Sequence, residues 1–188
     1  MRAHFNKLDA TLKEKLRDIS LIALDFDGVL TNNKVIHGPD GAESVSRSKA
    51  DSLGIDLLSE SGLYNKREYG SFKHLLDIVI LSREANPVVK SVAEKIKIKC
   101  QSSVHEKLKA LQEEARSRNV DLKNVLFMGN DLNDVECLDA AGIGVAVADA
   151  CPHVLRRADY VTLRKGGEGA LREICELIMY AKDVHPFP

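Results

Sequence analysis

Apolar and polar positions along the chain follow two alternating rhythms: short unbroken apolar runs, and longer segments with apolar residues three or four apart. Leu21 to Leu24, Ile78 to Leu81, Asn124 to Met128 and Ile143 to Val147 lack the polar alternation of a one-sided strand, so they predict parallel strands buried on both faces. Ile98 to Gln101 and Ala158 to Leu163 predict weaker strands. Between these runs the spacing predicts helices over Ala50 to Ser59, Pro87 to about Lys97, about His105 to Ser117, Glu136 to Ala141 and Leu171 to Ala181. Pro87 suits a first helical turn, where its missing N–H is not needed. Strands alternating with helices specify an α/β fold built on a doubly wound, mostly parallel Rossmann-like sheet.

Three segments stand outside that alternation. Phe5, Leu8, Leu12, Leu16 and Ile19 recur at helical spacing among charged residues, which predicts one amphipathic helix over residues 1–19, packed on the main domain (20–188) or on a partner. Residues 33–48 hold two short apolar-polar segments around Gly38-Pro39-Asp40-Gly41, a β-hairpin hanging over the first strand's end as a flap. The stretch 61–74 is polar and glycine-punctuated and reads as a surface excursion.

The 188 residues suit one domain with a core that needs no disulfide or structural metal. With 27 basic and 28 acidic residues and a formal charge of -1, the chain has no global field for nucleic acid or an anionic membrane, so any anion must be bound locally. Cys100, Cys137, Cys151 and Cys175 are dispersed without a CxxC pair and read as buried free thiols. No apolar run is long enough to span a membrane, and the first twenty residues lack a signal peptide's apolar core, so a cytoplasmic protein is expected.

Candidate chemistry gathers at strand ends. Asp25 stands at the carboxyl end of the first strand, where ligands bind in open α/β sheets, and Gly28 allows a sharp turn just beyond. Asp25 and Asp27 share one side of an extended segment with Phe26 turned away, and two such carboxylates repel unless a cation lies between them. Their hard oxygens suit Mg²⁺. The later strand ends add Ser82, the helix-borne Lys107, then Asn130, Asp131 and Asp134. This ordered set matches phosphoryl transfer to a carboxylate: Asp25 as nucleophile, Asp27 as proton carrier, Lys107 and a metal neutralising charge, and the Ser82 hydroxyl holding phosphate oxygens. Taken singly, Ser82 could be a helix cap, Lys107 a solvated charge and Asp134 an acid favoured by a helix N-terminus. A phosphoacceptor receiver domain would carry its acidic pair and acceptor in the opposite order.

The ordered set resembles the haloacid dehalogenase superfamily, whose four motifs stand here as DFDGV, Leu81-Ser82, Lys107 and GNDLND. The strings DGVLTNNKV, KADSLGI, LSREANPVV, GVAVADA and GGEGALRE are similar to a narrower branch, small-cap phosphatases of 3-deoxy-octulosonate 8-phosphate or nonulosonate 9-phosphates, including the phosphatase-like domain of acylneuraminate cytidylyltransferases. The resemblance implies a phosphorylated sugar acid as substrate, Mg²⁺ held by Asp25, Asp27, Asn130 and Asp131, and no large cap domain. It also implies a homotetramer in which the flaps and a neighbour's glycine-rich segment close each pocket, and a cytidylyltransferase of the same pathway as a partner. Substrate-binding residues carried over are Ser82, Arg83, Glu84, Lys95, Asp51, Gly166 and Gly167. Glutamate at position 84, with Lys95 one helix further on, is similar to relatives acting on nine-carbon acids, since arginine is common there when the acid has eight carbons. Asn130 departs from the acidic residue of many relatives, which keeps open an alternative: a non-catalytic oligomerisation domain associated with a cytidylyltransferase.

Overall fold

The structure is a computed structural model and describes residues 1–67 and 75–184. Six strands form one parallel sheet: β1 (Leu21–Leu24), β4 (Asp77–Leu81), β5 (Lys99–Gln101), β6 (Val125–Gly129), β7 (Ile143–Ala146) and β8 (Tyr160–Val161). Their order across the sheet is β5-β4-β1-β6-β7-β8. Every residue of β1, β4, β6 and β7 is buried, as their unbroken apolar runs require. The chain moves outward from β1 through β4 to β5, then returns to β6 on the other side of β1. That reversal leaves a crevice at the carboxyl ends of β1, β4 and β6, the place where doubly wound sheets bind ligands. The register fixes it closely, with Leu24 opposite Ile80 on one side and Met128 on the other.

Helices α3 (Lys49–Glu60), α4 (Pro87–Ile96), α5 (Lys107–Ser117), α6 (Val135–Ala140) and α8 (Ala170–Ala181) flank the sheet. A four-residue helix, α7 (Pro152–Leu155), was not expected, although Pro152 at its first turn is the usual signal. The predicted last strand is shorter than 158–163, because only Tyr160 and Val161 find partners, on Val145 and Ala146. Two strands, β2 (Val35–His37) and β3 (Glu43–Val45), pair antiparallel as the flap, and Gly41 takes the left-handed φ of 78° that its turn needs.

Two expectations need correction. The amphipathic segment 1–19 is two helices, α1 (Arg2–Lys7) and α2 (Ala10–Asp18). The chain is extended at Leu8, and the Asp9 carboxylate caps α2 by accepting from Leu12 N at 2.8 Å. Leu12, Leu16 and Ile19 are buried, and Phe5 stacks on Tyr180 of α8, so the pair packs on the chain's own domain. The stretch 61–74 is not wholly a surface excursion. Leu63 and Tyr64 are buried, and the Tyr64 hydroxyl donates to the Lys97 carbonyl. The rest of that stretch, from 68 to 74, lies outside the described residues. Of the four thiols, all free, Cys137 and Cys175 are buried and Cys100 and Cys151 half-buried.

Candidate active site

Asp25 continues the ladder of β1, its N–H donating to the Met128 carbonyl at 3.0 Å. Its side chain is buried at the crevice floor, where Oδ1 accepts from Phe26 N at 2.7 Å and Oδ2 meets Lys107 Nζ at 2.9 Å. Burial, reinforced by the charge of Asp134 and opposed by Lys107, pushes the Asp25 carboxyl up to about 7. Phe26 turns into the core, and Asp27 stands half-buried on the crevice side. Burial and the nearby Glu84 carboxylate raise the Asp27 pKa, while the Thr31 hydroxyl, 3.5 Å from Asp27 Oδ1, works against them.

Lys107 opens α5 and is 4% exposed, which excludes a solvated charge. It bridges Asp25 and Asp134, the latter at 2.6 Å from Oδ1. Burial alone would lower the lysine's pKa, but the two carboxylates overcome it and hold the ammonium charged. Asp134 Oδ2 accepts from the backbone N–H groups of Asn130 at 2.9 Å and Asp131 at 3.3 Å, so this acid is committed to organising the loop after β6.

Ser82 is buried at the end of β4, and its hydroxyl accepts from Glu84 N at 3.0 Å, leaving its proton to donate. It is not the cap of α4; that is Asn86, whose side chain accepts from Val88 N. Glu84 turns its carboxylate onto Ala85 N and Asn86 N at 2.7 and 2.9 Å.

A cavity of about 230 Å³ joins Asp25, Asp27, Ser82, Arg83, Glu84, Asn130 and Asp131. Asn130 is buried, and its Oδ1 has no hydrogen-bond partner. Gly28, at φ 81°, makes room for that amide: a Cβ there would lie 2.1 Å from Asn130 Nδ2. An orphaned buried oxygen beside two carboxylates fits a hard divalent cation, and the Asp25 and Asn130 side chains are able to hold it, with the Asp27 carboxylate beside them. Asp131 lines the same cavity, but it is exposed and its Oδ1 accepts from Leu132 N at 2.8 Å, as a cap. Among the described residues no cluster of three or more His, Cys, Asp or Glu side chains is set to chelate a metal, so the Asn130 amide matters to any such site.

Four residues carried over as substrate-binding lie elsewhere within this chain. Lys95 is exposed in the last turn of α4, about 12 Å along the axis from Pro87, and does not line the cavity. Asp51 is fully buried between α3 and α8, where Oδ1 accepts from Arg172 N at 3.0 Å; burial raises its pKa against the pull of the amides at the start of α8. Gly166 and Gly167 are buried against residues 28–32 of this chain. In their place the cavity recruits Asn33, whose φ of 59° is left-handed, and Asn133. Both stand in strand-end loops already marked by their neighbours, which was the available signal.

A family model described as haloacid dehalogenase-like hydrolase matches residues 78–174. The 3-deoxy-D-manno-octulosonate 8-phosphate phosphatase of Escherichia coli K12 is 30% identical over 178 residues, covering 95% of this chain and 88% of that protein. The crystal structure of the enzyme of that name from Moraxella catarrhalis, in complex with magnesium ion, phosphate ion and KDO, matches with a TM-score of 0.81 and 28% identity over 92% of each chain. The Yersinia pestis structure of the same name gives 0.83 and 29%, over 94% of this chain and 89% of that one.

Proposed function

The chain belongs to the haloacid dehalogenase-like hydrolases, and from that membership we propose that it is a magnesium-dependent phosphatase releasing the terminal phosphate of a 2-keto-3-deoxy sugar acid through an aspartyl-phosphate. The observation that carries this reading is the buried Asp25–Lys107–Asp134 set at the crevice floor, with Asn130, whose side-chain oxygen is unpartnered, lining the same cavity as Asp25. Asp25 attacks phosphorus, one bond forming to its carboxylate oxygen as the bond to the sugar oxygen breaks. Asp27, its pKa raised, gives a proton to the departing alcohol and later takes one from the water that cleaves the aspartyl-phosphate. Ser82 donates to a phosphate oxygen, and Lys107 holds Asp25 in place and offsets negative charge. Magnesium held by the Asp25 and Asn130 side chains and the Asp27 backbone carbonyl would keep Asp25 ionised and neutralise the phosphate dianion.

The finer assignment is preference for a nonulosonate 9-phosphate over 3-deoxy-octulosonate 8-phosphate. Glu84 supports it: a carboxylate at the cavity rim repels the acid group of a short substrate but accepts hydrogen bonds from sugar hydroxyls. The relatives' names favour the eight-carbon acid, so the two substrates must be compared directly. The cavity of about 230 Å³ is small beside ordinary ligand sites, so the sugar extends past the rim formed by Arg83 and Glu84. A homotetramer would enclose that part, and the flap's exposed Val35 and Ile36 offer apolar surface for it. The departure at Asn130 motivates the oligomerisation-domain alternative, but a lysine buried between two acids is costly in a scaffold and useful in a phosphatase.

A phosphate-release screen over both sugar-acid phosphates, with Mg²⁺ and with chelator, tests the proposal. Release that requires Mg²⁺, with the higher kcat/KM on the nine-carbon ester, is expected. A higher kcat/KM on the eight-carbon ester would overturn the preference, and no release from either would overturn the activity.

A further inference from the structure

Residues 164–169, between β8 and α8, run against the turn that carries the acids of the site. Gly167 N donates to the Val29 carbonyl at 2.9 Å. The approach is closer than any side chain allows, since a Cβ on Gly166 would lie 1.8 Å from Gly28 O and one on Gly167 2.4 Å from the Thr31 carbonyl carbon. Thr31, fully buried, relays this contact inward: its hydroxyl accepts from Gly28 N at 3.2 Å and Asn33 N at 3.3 Å, and faces Asp27 Oδ1.

The strap and the start of α8 are held by acids outside the site. Asp149 Oδ1 accepts from Gly166 N at 2.9 Å, and Asp51 Oδ1 from Arg172 N at the start of α8. Glu173 adds bonds from Leu163 N and Arg164 N and from the Tyr160 hydroxyl. Asp25 does not depend on this arrangement, because the sheet ladder and Lys107 already fix it. Asp27 lies past the end of the strand, on the turn. Among the described residues, the long-range backbone ties of that turn are Gly167 N to Val29 O and Asn32 N to Ser46 O.

We propose that the strap 164–169, anchored by Asp149 and Asp51, positions Asp27 for proton transfer, so that Gly166, Gly167, Asp149 and Asp51 act through Asp27 and not by touching substrate. The proposal rests on the reading of Asp27 as proton carrier. Its signature is a dependence on the leaving group: an alkyl phosphate needs a proton delivered to its departing oxygen, whereas an activated aryl phosphate does not.

Gly166→Ala and Asp149→Ala should be assayed on an alkyl and an activated aryl phosphate at saturating Mg²⁺, with thermal melting alongside. Gly166→Ala should lower kcat on the alkyl ester at least about tenfold with KM little changed, because an ångström of misplacement costs on the order of a hundredfold. Asp149→Ala, at an exposed position, should do the same by about threefold, while kcat on the aryl ester changes less than about twofold in Asp149→Ala and falls less than that on the alkyl ester in Gly166→Ala. Equal losses on the two esters, or none in Asp149→Ala, overturn the proposal alone. Release from neither ester by the wild type overturns it together with the phosphatase reading.

Discussion

Replacing Lys107 with methionine should both abolish turnover and weaken the fold, and the two effects come from one set of distances. The ammonium sits 2.9 Å from Asp25 and 2.6 Å from Asp134, with side-chain exposures of 3%, 8% and 0% for the three groups. Removing the cation leaves two buried carboxylates uncompensated, and breaking a buried pair in this way costs about 3–5 kcal/mol. For a chain of this length that is a fall in Tm of roughly 6–20 °C. Methionine keeps most of the stem's volume, so little of the loss comes from packing. Urea unfolding at about pH 9, where Asp25 is ionised, with chelator present measures the deficit free of metal binding. It should shrink as pH falls and Asp25 protonates, since its pKa lies near 7 and rises further once Lys107 no longer opposes burial. Adding Asp134→Asn removes one of the stranded charges and should recover a substantial part of the stability. A Lys107→Met protein within about 0.5 kcal/mol of wild type, or a deficit unmoved by Asp134→Asn, would refute the electrostatic account of the site.

Asp27→Asn should slow hydrolysis of an alkyl phosphate far more than that of an activated aryl phosphate, and equal losses in steady-state assays would remove its role as proton carrier. Glu84→Arg should narrow or invert the preference for the nine-carbon over the eight-carbon ester, read as the ratio of the two kcat/KM values; an unchanged ratio would detach specificity from this residue. Glu114 is buried, which works against its charge, yet Lys99, Arg118 and Gln101 hold its pKa below the usual 4.5. Its contribution is therefore present above about pH 4.5 and lost as pH falls through the lowered folded value. The stability gap between wild type and Glu114→Gln in acid-dependent urea unfolding should close over that window, and a constant gap would contradict the assignment.

The central sheet was legible because residues buried on both faces leave unbroken apolar runs, and strands β1, β4, β6 and β7 lie within a residue of where those runs put them. The acids at strand ends were legible for the same reason: once a strand is placed, so is its carboxyl end. What failed was long-range or phase-blind. The spacing of Phe5, Leu8, Leu12 and Leu16 continues in phase across the break at Leu8, so periodicity could not see it; only Asp9, a capping residue, marked it. Leu63 and Tyr64 are buried by contacts with distant segments that a local reading of a polar stretch cannot supply. Gly166, Gly167 and Asp51 stood out in sequence, but their contacts with Gly28, Thr31 and Arg172 join residues more than a hundred positions apart. The register of α4 likewise aims Ala93 and Ile96 at the core and leaves Lys95 in solvent, away from the cavity.

Asp25 is proposed as the nucleophile of a phosphatase. Asp25→Asn keeps the shape of the side chain and removes its nucleophilic charge, so phosphate release from a sugar-acid phosphate with Mg²⁺, measured beside the wild type, isolates that role. Release by the wild type and none above background from a variant that still folds is the predicted result. Turnover by Asp25→Asn near the wild-type rate would contradict it.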